Sequence, residues 1–105
     1  MEMRRDVFQA IADPTRRTII GMVAAKPQNL NSIAEQFEMS RQAISLHIKI
    51  LHECGLLKVE PQGRERWCTI QPEKLVEVAE WVEPFRKMWD NRLDLLGNVL
   101  KEMKK

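Results

Sequence analysis

Cysteine is scarce in this chain, and Cys54 and Cys68 are the two examples in 105 residues. That is too few for a disulfide scaffold, and both are expected as thiols in a reducing cytoplasm. Long apolar runs are missing as well. None approaches the roughly 18 residues needed to cross a bilayer, and the start, Met1 to Asp6, is charged rather than signal-like. The expectation is a cytoplasmic protein without a membrane partner. Also lacking are a glycine-rich phosphate loop, a nucleophile with an orienting histidine and acid, and a plausible catalytic carboxylate pair. The sequence does not read as an enzyme, and no cofactor is expected. Histidine occurs twice, at His47 and His52, five residues apart and about 140° around a helix axis, so the two do not converge on a metal.

Hydrophobic residues make up 44% of the chain and charged residues 30%, a balance that suits one folded domain over residues 1–105. The net charge of +2 is too small to announce a nucleic-acid partner. Its distribution says more. Residues 1–30 carry five basic against three acidic side chains and residues 41–72 five against three, whereas residues 73–105 carry seven of each.

Val7, Phe8 and Ile11 lie at helical spacing within a short first helix over residues 4–12. Asp13 is a natural N-cap and Pro14 a natural first residue for the second helix, in which Ile19, Ile20, Met22 and Val23 form a buried stripe that ends at Pro27. Gln28 and Asn29 read as a connection. A helix of barely two turns, residues 32–37, opens at Leu30 or Asn31 and turns inward Ile33, Ala34 and Phe37. After a turn at Glu38 and Met39, Ser40 caps a helix over residues 41–54 whose inner face is Ile44, Ile48 and Leu51, with Gly55 closing it. The periodicity then changes to strand, turn, strand over residues 56–71, with Glu60-Pro61-Gln62-Gly63 fitting a type I turn.

From Glu73 to about Met103 the pattern is again helical. Leu75, Val78, Val82, Phe85, Trp89, Leu93, Leu96, Leu100 and Met103 recur every three or four residues, flanked by Trp81, Met88, Leu95 and Val99. Pro84 should kink or split that helix near Glu83. Some 30 helical residues span about 45 Å, more than a domain of about 70 residues covers, so a second copy is expected on the stripe. The residues expected at that interface are Trp81, Phe85, Met88, Trp89, Leu93, Leu96 and Leu100.

Short helix, tight turn, capped helix and basic hairpin is the order of a winged helix-turn-helix, mainly α with a small β-hairpin wing. Arg41, Gln42, Ser45 and Lys49 lie opposite the apolar stripe of the capped helix. Arginine forks to guanine, glutamine pairs with adenine, serine approaches a base edge or a phosphate, and Leu46 suits a thymine methyl. Arg64 and Arg66 place cations on the hairpin, where they could enter a minor groove. Double-stranded DNA is the expected partner.

These stretches carry a resemblance over nearly the whole chain. Ala12-Asp13-Pro14-Thr15-Arg16-Arg17, Ser32-Ile33-Ala34, Ser40 to Ile48, Leu51 to Leu56 and Gln62-Gly63-Arg64-Glu65-Arg66-Trp67 together resemble the ArsR/SmtB family of transcriptional repressors. The resemblance implies a homodimer formed by the first and last helices, which adds Val7, Phe8 and Ile11 to the expected interface, acting on an imperfect palindrome. On this reading Ser40 opens the recognition helix, Arg41, Gln42 and Ser45 read bases, and Thr15 and Lys49 hold phosphates. His47 hydrogen-bonds within the helix-turn-helix or touches a phosphate. Many members sense metal through cysteines near the positioning helix or Asp and His ligands on the last helix. Here residues 29–34 hold no cysteine and the last helix no histidine, so no metal is expected at those places. A protein or small-molecule effector, a thiol role for Cys54 or Cys68, and a winged helix used for protein contacts are the alternatives.

Overall fold

The computed structural model describes residues 6–103. Asp6 caps α1 (Val7–Ile11) by accepting from the Gln9 backbone N–H at 2.9 Å; Arg4 and Arg5, assigned above to the first helix, lie outside the described residues. α2 (Pro14–Ala25) starts where Asp13 and Pro14 dictate, with the Asp13 carboxylate accepting from the Arg16 N–H at 3.0 Å. Arg16 and Arg17 then close the preceding helix. The Arg16 guanidinium donates to the carbonyls of Ala10 (2.7 Å) and Gln9 (3.0 Å), and that of Arg17 to Ile11 and Ala12; these are carbonyls at the end of α1, and that of Gln9 also accepts from the Ala12 N–H.

α3 (Leu30–Ala34) opens at Leu30, one of the two expected openers, and ends three residues sooner than expected. Asn29 takes the cap by accepting from the Ser32 N–H at 2.7 Å, which pulls Leu30 into the helix and buries it. α4 (Arg41–Glu53) is capped as expected by the Ser40 hydroxyl, which accepts from the Ala43 N–H. It ends on Gly55, whose φ of +78° lets its N–H reach the His52 carbonyl while the Leu56 N–H reaches that of Leu51. This double closure also seals Leu51 against Leu56 as an apolar pair, and both are fully buried.

The wing has three strands rather than two. Gln28 and Asn29, read from sequence as a connection, form β1 (Gln28–Asn29) and pair with Cys68 and Trp67. The order is β1-β3-β2, all antiparallel, with β2 (Leu57–Gln62) and β3 (Glu65–Ile70). Gln62 pairs with Glu65, so the hairpin loop is Gly63-Arg64 and not Pro61-Gln62. A two-residue loop matches strand twist better than a type I turn, and Gly63, at φ +64°, takes the left-handed first position. Pro61 is accommodated in β2 because that strand is an edge. Val7, Ala10, Ile19, Val23, Leu30, Ile33, Ile44, Ile48, Leu51, Cys54, Leu56, Leu57 and Cys68 are the buried residues that hold these elements together.

The chain divides into a first unit that runs to Leu75 and a second that starts at Val76. After a 3-10 turn (Pro72–Lys74), α5 (Leu75–Met103) continues through Pro84 as one helix of 29 residues. Of the two effects expected of Pro84, a kink or a split near Glu83, the split does not occur. A proline removes one donor, and an exposed helix leaves water to serve the released carbonyl. No residue of α5 is buried; Trp81, Phe85, Met88, Trp89, Leu93, Leu96 and Leu100 are all exposed, and the Trp81 and Phe85 rings lie 5.3 Å apart.

Candidate nucleic-acid interface

α3 and α4 pack on each other across the turn at residues 35–40, and Ile44, Ile48 and Leu51 commit one face of α4 to the core. Helical geometry then turns Arg41, Gln42, Ser45, Leu46 and Lys49 outward. On β3, Arg66 shares a face with buried Cys68, because alternate strand residues point the same way. β3 packs on α2 and α3, and Arg66 shares a concavity with the outward side chains of α4. The result is a groove of about 600 Å³ lined by Leu30, Asn31, Arg41, Gln42, Ser45, Leu46, Lys49, Arg64 and Arg66.

Seven of the ten residues that sequence assigns to DNA meet in this groove. Four are cations, and among the described residues no carboxylate lines it. Thr15, Ser40 and His47 do not line it. Ser40 is occupied as the cap of α4, and the Thr15 hydroxyl lies 4.0 Å from the Met39 sulfur. His47 hydrogen-bonds within the helix-turn-helix, the first of its two expected roles: its Nδ1 accepts from Arg16 at 3.4 Å and lies 4.0 Å from Asp13. Since Arg16 also holds the end of α1, one guanidinium joins α1, α2 and the recognition helix. The Asp13 carboxyl is held below its usual pKa, first by the Arg16 backbone N–H and, against partial desolvation, also by the Arg16 charge and the Thr15 backbone N–H.

Sequence reasoning missed Asn31. It was read as a possible helix opener, yet its exposed side chain forms the α3 wall of the groove. The available signal was its polarity at the start of a helix whose other face packs on α4.

Of the three residues of the first helix expected at an interface, Val7 faces the chain's own core at 3% exposure, Ile11 is half-buried and Phe8 is 38% exposed. Cys54 and Cys68 form no disulfide. Both are buried, and burial pushes the Cys68 thiol up, away from the reactive thiolate. Among the described residues no three His, Cys, Asp or Glu side chains gather to hold a metal ion, and no helix is long and apolar enough to cross a membrane.

A groove that carries cations and an amide on a capped helix, beside a basic hairpin, has the make-up of a winged helix-turn-helix that binds DNA. Residues 13–59 match the family model of the bacterial regulatory protein, arsR family. The chain is 31% identical over 88 residues to the transcriptional repressor SdpR of Bacillus subtilis, covering 84% of this chain and 98% of that one. It is 32% identical to the HTH-type transcriptional regulator Rv2034 of Mycobacterium tuberculosis over 74% of this chain and 73% of that one. An ArsR-like transcriptional regulator from Rhodococcus sp. RHA1 has the same fold, with a TM-score of 0.68 and 31% identity over 91% of this chain and 88% of that one. The chain belongs to the ArsR family of DNA-binding transcriptional regulators, which are not enzymes.

Proposed function

We propose that this protein represses transcription in the cytoplasm as a homodimer on an imperfect palindromic operator, without metal at the family's usual places. The acid-free groove between α4 and the wing carries the reading. In it Arg41, Gln42 and Ser45 reach base edges in the major groove, while Lys49, Arg64, Arg66 and Asn31 meet the backbone on either side. Thr15 and Ser40 supply flanking phosphate contacts, and His47 sets the recognition helix on α2.

The homodimer is supported by α5, whose apolar row, with exposed Phe8 on α1, suits a second copy. Repression accords with SdpR, which is named for it. Independence from metal is supported by the lack of cysteine in residues 29–34 and of histidine in α5. A fluorescence-anisotropy titration tests the reading, with the protein's own upstream DNA and a scrambled duplex at two salt concentrations and no added metal. Preferential, salt-sensitive binding to the upstream duplex is expected. Equal weak binding to both would contradict it.

A further inference from the structure

The outward face of α4 carries two rows of side chains at one-turn spacing. Arg41, Ser45 and Lys49 form a polar row; Gln42 and Leu46 form the other. Leu46 is 58% exposed, although it lines a groove with four cations. Leu30, the other aliphatic residue of the lining, is only 5% exposed and belongs to the core. A solitary exposed leucine on an ordinary surface needs no explanation. This one is held mid-helix in the concavity that, on the reading above, admits the major-groove edge of a duplex. That edge presents one apolar group, the C5-methyl of thymine. One turn earlier stands Gln42, whose amide matches the N6 and N7 groups of adenine.

We propose that the Gln42–Leu46 row is the A·T-selecting element of the recognition helix, with Gln42 on an adenine edge and Leu46 against a thymine methyl. The inference rests on the DNA-binding reading and adds the base identity. Arg41 at the start of the polar row takes guanine, so each half-site combines a G·C pair with neighbouring A·T pairs.

The test begins by selecting duplexes from a randomised pool with the full-length protein. Each thymine of the best duplex is then replaced singly by deoxyuridine, which removes the methyl and keeps the pairing. At one thymine per half-site the replacement should weaken binding about four-fold, the worth of one buried methyl. Leu46→Ala should bind both duplexes equally, whereas Arg41→Ala, though weaker overall, should keep the four-fold ratio. Indifference to every deoxyuridine, or the same sensitivity in Leu46→Ala, would overturn the inference and leave the DNA-binding reading standing. Failure to enrich any duplex would overturn both.

Discussion

Residues 6–75 and helix α5 use their apolar side chains in opposite ways. In the first unit Ile19, Ile33, Ile44, Leu51, Leu56 and Leu57 are sealed from solvent, and polar groups line the surface groove. In α5 the polarity is reversed: ten large apolar residues, from Trp81 to Met103, are exposed along one helix. Helices of this kind draw most of their stability from packing of the apolar face rather than from intrinsic propensity, and an interior proline costs about 3 kcal/mol. The first unit contains its own core; α5 calls for a cover from outside it. On the proposed reading, the contrast separates a module that reads DNA from one that pairs protomers.

The largest effect should come from breaking the core. Ile44→Ala leaves a hole on the inner face of α4 and should destabilise the protein by about 2 to 5 kcal/mol in urea denaturation. A charge on the apolar row of α5 should act differently. Leu93→Asp is expected to weaken self-association about a hundred-fold, or about 3 kcal/mol, by sedimentation equilibrium, since a carboxylate would be buried without a partner. The first unit should keep its fold. If Leu93→Asp left self-association untouched, the division of labour would fail.

Groove variants sharpen the same contrast. Arg41→Ala should lose about 1 to 3 kcal/mol on the operator and relax specificity. Arg64→Ala should weaken binding to all duplexes evenly and reduce the salt slope by about one per protomer. Equal behaviour of the two variants on every duplex would remove the distinction between base and backbone contacts. The smallest effect belongs to the cap of α2. Asp13→Ala should cost about 1 kcal/mol and Asp13→Asn little, because asparagine caps as well. The folded-state pKa of Asp13 is depressed, so its stabilisation is complete above the unfolded value of about 3.9 and fades as pH falls through the lower folded value. Acid unfolding of Asp13→Asn should lack that contribution.

Most of the groove was legible in the sequence because caps and buried stripes fix helix rotation. Ser40 sets where α4 begins, Ile44, Ile48 and Leu51 set which way it faces, and the outward residues follow. What the sequence concealed depends on contacts far along the chain. β1 has only two polar residues and forms through pairing with β3, so no alternation betrays it. The hairpin loop falls at Gly63-Arg64 because the pairing of Leu57 with Ile70 and Val59 with Cys68 fixes the register; a local Pro-Gln turn signal does not override that. Asn29 competes with Asn31 and Ser32 as a cap, and burial of Leu30 accompanies the choice. For α5 the apolar row was plain, and only the passage through Pro84 ran against its local signal.

Hydroxyl-radical footprinting of the full-length protein on its selected operator tests the central claim most directly. Two protected half-sites of equivalent pattern, their centres one helical turn or a multiple of about 10 base pairs apart, are the predicted result. A single unpaired patch, or uniform protection of any duplex, would contradict it.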